Sequence, residues 1–245
     1  MSRSPDVPAR RRSDAYFAAS FEVARRLAEG RGEEAVGVLR RELDRTRTSD
    51  DAAGRRFLLS QIALCHSRMG QNEAVLRALE EMEEDLPQEA ETALLLAEGY
   101  LLLLGNPERA SHHAALALQW AEEESDQAPE VTSRAHTLMA RALMASADLL
   151  GAFGAWAASP LPDWRVAVEL IEAGYNPHKV RDVLAEALPR HIDNERRHGA
   201  GAVASSDQVR RLIMWIDGGC QRKRIAVDDL SRAGCGAQFY QFITG

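Results

Sequence analysis

The sequence predicts an all-α protein whose helices follow one another through short turns. Three observations predict it. Apolar residues recur at i, i+3, i+4 and i+7 in segment after segment, the spacing of one helix face. Ala and Leu, strong helix formers, abound while aromatics make up only 6% of the chain. No stretch from 14 to 158 sustains the alternation of a strand, and Gly, Pro and Asn punctuate it instead.

The elements follow in order. Residues 1–13 carry Pro5, Pro8 and Arg10-Arg11-Arg12 without apolar periodicity, and read as a flexible basic arm. From Asp14, one helix face carries Phe17, Phe21, Ala24 and Ala28, until Gly30 and Gly32 break it. Ala35, Val36, Leu39 and Leu43 mark a second helix; Thr48-Ser49-Asp50 ends it and supplies the next N-cap. The third helix carries Phe57, Leu58, Ile62, Ala63 and His66 and stops at Gly70. The fourth carries Ala74, Val75, Ala78, Leu79 and Met82 and stops near Pro87. The fifth has Leu94, Leu96, Ala97 and Tyr100 and ends at Gly105, after which Asn106-Pro107 reads as an N-cap and a first helical residue. A sixth holds Ala110, Ala114 and Leu118, and two more span 130–146 and 149–158.

Ser159-Pro160-Leu161-Pro162 then reads as a stiff connector into a helical C-terminal extension, 159–245. Asp163 caps a helix through Trp164, Val166, Val168, Leu170 and Ile171 that ends at Gly174. Asn176-Pro177 opens another, with Val180, Val183, Leu184 and Leu188 on one face, which Pro189 ends or kinks. Ser206 caps a short helix with Val209, Leu212, Ile213 and Ile216, closed by Gly218-Gly219.

Composition narrows the class. The 245 residues carry a formal charge of −7, which argues against a protein that coats nucleic acid. Only Lys179 and Lys223 among 30 basic residues are lysine, a choice that fits a GC-rich bacterial genome. Cys65, Cys220 and Cys235 form no CxxC pair, which fits a reduced cytoplasmic setting. The N-terminus has no apolar core of a secretory signal. The longest apolar run, around Leu101–Leu104, is far short of the roughly 20 residues of a membrane span. A soluble, cytoplasmic protein without a membrane partner is expected.

The turns also line up into a frame. Val23-Ala24 with Leu27 precedes Gly30 and Ala35; Ile62-Ala63 with His66 precedes Gly70 and Ala74. Leu96-Ala97 with Tyr100 precedes Gly105 and Ala110, and Met139-Ala140 with Leu143 precedes Ala147 and Ala152. This pattern over 14–158 resembles the tetratricopeptide (TPR) family, in which a large-small doublet and an aromatic in helix A pair with a turn glycine and a small residue in helix B. Segment 96–110 is the closest match, with one residue more than usual between Tyr100 and Gly105. The tryptophan that opens the family pattern is absent, the first turn is lengthened, and Ala147 stands where glycine is expected.

The resemblance implies a right-handed α-α superhelix of four helix pairs, and a non-enzymatic protein–protein adaptor, scaffold or assembly chaperone without cofactors. It implies a groove that takes a partner peptide or helix, lined by Phe21 and Arg25, by Phe57, Ser60, Leu64 and Arg68, by Glu91, Leu94 and Glu98, and by Arg134, Thr137 and Arg141. The Lys and Asn pairs that clamp a C-terminal carboxylate in chaperone-binding relatives are missing. The acidic runs Glu80–Asp85 and Glu122–Glu124 read as solvated helix ends, or as a surface for a basic partner.

From 190 to 232, nine Arg/Lys stand against six Asp/Glu. The excess is either composition alone, or places Arg222, Lys223 and Arg224 to meet an acidic partner, the acidic repeats of this or another copy, or nucleic acid. The nucleic-acid reading makes the protein a transcriptional or defence-type regulator. Phe239, Tyr240 and Phe242 form an aromatic tail that caps the helical array or docks on a partner. His191, Glu195 and His198 share a helix face, but no second Glu-x-x-His motif accompanies them, so no metal is expected. No GxSxG, phosphate loop or HExxH occurs, and no enzyme is expected.

Overall fold

The computed structural model of the chain describes residues 20–47, 51–123, 129–198 and 206–218. Every regular element among them is helical. They are α1 (20–28), α2 (Gly32–Arg47), α3 (Ala52–Arg68), α4 (Asn72–Asp85) and α5 (Ala90–Glu98), which runs on into a π turn (Gly99–Leu103). Next come α6 (Pro107–Glu123), α7 (Pro129–Ala145), α8 (Leu149–Ala157), α9 (Trp164–Glu172), α10 (Pro177–His198) and α11 (Ser206–Asp217). The arm 1–13 lies outside the described residues. The chain divides into two compact units, Met1–His113 and Ala114–Gly245. No described helix is long and apolar enough to cross a membrane.

One turn recurs five times among the described residues. Gly30, Gly70, Gly105, Ala147 and Gly174 all have positive φ, between 59° and 94°, and each joins one helix to the next. This left-handed residue lets the following N–H close back on the helix just ended. Arg31 donates to the Arg26 carbonyl (2.8 Å), Gln71 to His66 (2.9 Å), Asp148 to Leu143 (2.9 Å) and Tyr175 to Leu170 (2.9 Å). The α5–α6 turn spans one residue more, Asn106 donating to Tyr100 at 2.8 Å. That is the extra residue visible in the sequence, and the π turn absorbs it by widening one helical turn. The α9–α10 hairpin uses the same turn, although its sequence shows no repeat.

The next helix starts from a side-chain cap in several of these hairpins. Asn106 Oδ1 accepts from the Arg109 N–H (3.1 Å), Asp148 Oδ1 from Gly151 (2.9 Å) and Asn176 Oδ1 from His178 (2.9 Å). Such caps satisfy N–H groups that no helix carbonyl can reach. Elsewhere Asp163 caps α9 as its sequence predicts, Oδ1 accepting from Arg165 at 2.9 Å. Two caps differ from expectation. Asp51, the residue after the Thr48-Ser49-Asp50 stretch, caps α3, accepting from Gly54 at 2.8 Å. Ser206 opens α11 by donating its hydroxyl to Glu195 Oε2 at 2.5 Å, so the carboxylate arrives from α10. Pro189 lies inside α10, which continues to His198.

In every hairpin one position before the turn and one after it are buried. The first set is Val23, Ala63, Ala97, Ala140 and Ala167, at most 3% exposed; the second is Ala35, Val75, Ala110, Ala152 and Val180, all at 0%. The structure therefore shifts two positions of the sequence frame by one residue. Val23 rather than Ala24 holds the close position in the first pair, because the chain reverses at Gly30 itself. Val75 rather than Ala74 holds it in the second.

In unit 1, α3 packs along both α2 and α4 and touches the π turn. Three neighbours explain why its buried residues, Leu58, Leu59, Ile62, Ala63 and Cys65, spread around the helix. The π turn meets α4 closely: a Cβ on Gly99 would lie 2.6 Å from Leu79 Cδ2. Unit 2 builds its core from α7 to α11, around Trp156, Trp164, Leu170, Leu184 and Leu212. The Pro160–Pro162 connector joins parts of this single core, so 158/159 is no boundary between cores. It is held by Trp156 Nε1 donating to the Asp163 carbonyl (2.8 Å) and by Leu161 N–H donating to Ser133 Oγ (3.2 Å). A buried irregular segment needs such partners for its backbone.

Ala147 and Gly70 provide opposite tests of the turn. Ala147→Gly relieves a left-handed alanine and is expected to stabilise unit 2 by about 1 kcal/mol, whereas Gly70→Ala costs unit 1 about 1 kcal/mol. A Cβ at Gly70 meets nothing within 4 Å, so the cost is purely conformational. Urea unfolding of both variants checks the two signs.

Candidate partner-binding surface

In unit 1 the partly covered residues of α3 form a stripe. Phe57, Ser60 and Leu64 are half-buried and Arg68 is exposed, at i, i+3, i+7 and i+11. Ser60 Oγ donates to the Phe57 carbonyl at 2.7 Å, so the hydroxyl is held along the helix. At the N-terminal end of α3, the Arg56 guanidinium pairs with the Glu89 carboxylate just before α5.

On α5 the stripe is Glu91, Leu95, Glu98 and Leu102, the first three half-buried and Leu102 60% exposed. Leu94 is not part of it. It is 0% exposed and packs in the core. Sequence reading missed Leu95 and Leu102, although Leu95 lies at i+4 from Glu91. Leu102, at i+4 from Glu98, holds the position that Arg68 holds in α3.

The corrected frame also moves the α1 stripe. Ser20, Ala24 and Ala28 correspond to Ser60, Leu64 and Arg68, and Ala24 and Ala28 are exposed. Arg25 corresponds instead to Cys65 and Gly99, which are buried. In α1 the position carries a charge, bound to Glu22 and Glu29, both at 2.8 Å. Beside it Phe21 is 84% exposed. The Glu22 carboxyl is held down to about 2 by its hydrogen bonds from Arg25 and Arg26.

In unit 2, Arg134, Thr137 and Arg141 are half-buried along one face of α7. Arg141 binds Glu169 of α9 through two bonds, 3.1 and 2.8 Å. It thus clasps two helices. Arg222, Lys223, Arg224, Phe239, Tyr240 and Phe242 lie outside the described residues, as do Cys220, Cys235 and Glu124.

Cys65 and His191 are both buried, at 1% exposure. Burial pushes the Cys65 thiol up to about 11, which leaves it a poor nucleophile at neutral pH. His191 is 1% exposed, and Glu195 on the same helix is engaged with Ser206. Among the described residues no group of three or more His, Cys, Asp or Glu is placed to hold a metal ion.

No protein-family model and no curated protein matches this chain. A solved structure from Podosopora anserina, described as kinesin light chain with nearly identical TPR-like repeats, is similar at 17% identity with a TM-score of 0.46, covering 89% of this chain and 100% of its own.

Burial lowers the pKa of His136 and His191 below the ordinary imidazole value of 6.5. Unfolded, each takes up a proton more readily than folded. Their contribution to the stability of unit 2 is therefore level above pH 6.5 and falls as pH drops from there toward the folded values. All four tryptophans lie in residues 114–245, so tryptophan fluorescence reports this unit alone. The urea midpoint read this way is expected to decline below pH 6.5, and more shallowly in a His136→Gln/His191→Gln variant.

Proposed function

We propose that this protein is a non-enzymatic binding module of TPR-like helix pairs, a cytoplasmic adaptor, scaffold or assembly chaperone. It takes a partner's peptide or helix across α3 and α5. The observation that supports this reading most is α3 itself. Three neighbours pack against this helix, and Phe57, Ser60 and Leu64 lie half-buried along one stripe of it. Adjoining apolar residues that keep part of their surface in solvent are the kind of patch a partner covers.

The α5 stripe complements it. Leu95 and Leu102 offer apolar surface, and Glu91 and Glu98 set charge beside it. Apolar anchors in such an arrangement supply most of the affinity, while flanking charges set association rate and partner choice. The resemblance to the TPR family and the repeated left-handed turns support the same reading. The Arg134–Thr137–Arg141 face of α7 is a second stripe of the same kind in unit 2.

The test uses the partner that copurifies with the full chain, then remade pure. Phe57→Glu with Leu64→Glu is expected to weaken its binding by thirtyfold or more, on the order of 2 kcal/mol for a paired anchor. The thermal midpoint should stay close to that of the parent, because neither residue is fully buried. Unchanged affinity in this variant contradicts the reading.

A further inference from the structure

The π turn of α5 meets the start of α6 in a dense cluster of aromatic and charged groups. Tyr100, at 0% exposure, accepts a hydrogen bond from Arg109 Nη1 at 2.8 Å. The Arg109 guanidinium also lies 5.1 Å from the Tyr100 ring centroid. On Tyr100 stacks His113, with centroids 5.3 Å apart and planes within 5°. His112 meets His113 edge-on at 5.3 Å. The His113 side chain is 4% exposed, and its Nε2 is 3.9 Å from Glu83 Oε1, whose side chain is half in solvent.

The charged groups around these two rings are Glu80 and Glu83 from α4 and Arg109 and His112 from α6. Only Glu83 favours a proton on His113; burial, His112 and Arg109 oppose it. We propose that the Tyr100–His113 stack is a proton-operated latch on the π turn. With His113 neutral, the tyrosine is held from both sides and pins the widened turn, which carries the exposed Leu102. A proton from solvent adds a second cation beside a ring that Arg109 already flanks. That charge is accommodated when the imidazolium swings toward Glu83 or Arg109 leaves the tyrosine hydroxyl. Either movement removes one of the two partners that fix Tyr100.

The latch sits on the helix that carries Glu91, Leu95 and Glu98, so it sets the order of that stripe. The claim stands apart from partner binding, because its readout is the turn itself. Hydrogen exchange of segment 99–105 in the full chain, compared at pH 7.5, 6.5 and 5.5 after correction for intrinsic rates, reads it directly. Exchange is expected to accelerate on the order of tenfold on acidification, the span of one pKa unit. His113→Phe keeps an aromatic ring on Tyr100 without a titrating group, and its profile should be flat. Glu83→Gln removes the one group that favours the proton and should move the acceleration to lower pH. No acceleration in the parent, or the same acceleration in His113→Phe, overturns the latch. If His113→Phe does not fold, an unmoved transition in Glu83→Gln overturns it alone.

Discussion

Among the described residues the chain reverses five times through a residue with positive φ, and the other features of both units depend on that reversal. A helix that ends normally leaves its last carbonyls without partners. Here the N–H after the left-handed residue satisfies one of them, so a single turn both ends a helix and aims the next one back along it. Antiparallel neighbours can then approach closely, and the residues at the approach are small or β-branched and buried, from Val23 to Ala167 and from Ala35 to Val180. Glycine supplies the turn in four hairpins. Alanine supplies it in the fourth, at a cost of roughly 1–2 kcal/mol.

What crosses each reversal differs between the units. In unit 1 the side chain whose backbone carbonyl closes the turn also reaches the start of the next helix with a polar group. Arg26 Nη1 donates to the Glu34 carbonyl (3.3 Å), His66 Nδ1 lies 2.6 Å from Gln71 Oε1, and Tyr100 accepts from Arg109. In unit 2 the same positions are Leu143 and Leu170, which pack on the core. Polar closure demands matched geometry, because each buried donor or acceptor left alone costs more than a good bond returns. The π turn meets that demand: it lets α5 carry one more residue and still bring Tyr100 to Arg109.

Much of this was legible in the amino-acid order. Helical spacing placed the elements, and Asn106-Pro107 and Asp163 marked their own helix starts, because each cap has a local chemical signature. What was not legible depended on contacts distant in sequence. Leu94 satisfies the frame for a surface residue, yet neighbouring helices cover it. Val23-Ala24 reads equally well in two registers, one of which puts Phe21 and Arg25 in the groove set, and only the site of reversal at Gly30 decides between them. The α9–α10 hairpin hid because Tyr175 lengthens its turn and no small residue follows at the expected place. Ser159–Asp163 looked like a spacer by its prolines; its burial follows from Trp156 and Ser133, which no local pattern announces.

Residue-resolved amide exchange is the most direct test of the hairpin module. The N–H groups of Gln71, Asn106, Asp148 and Tyr175 sit beside turns, where a free chain exchanges fast. If each closes onto the helix before it, all four are protected to the level of their unit's helix interiors. Exchange at free-chain rates for these four amides, with the helices themselves protected, would contradict the account.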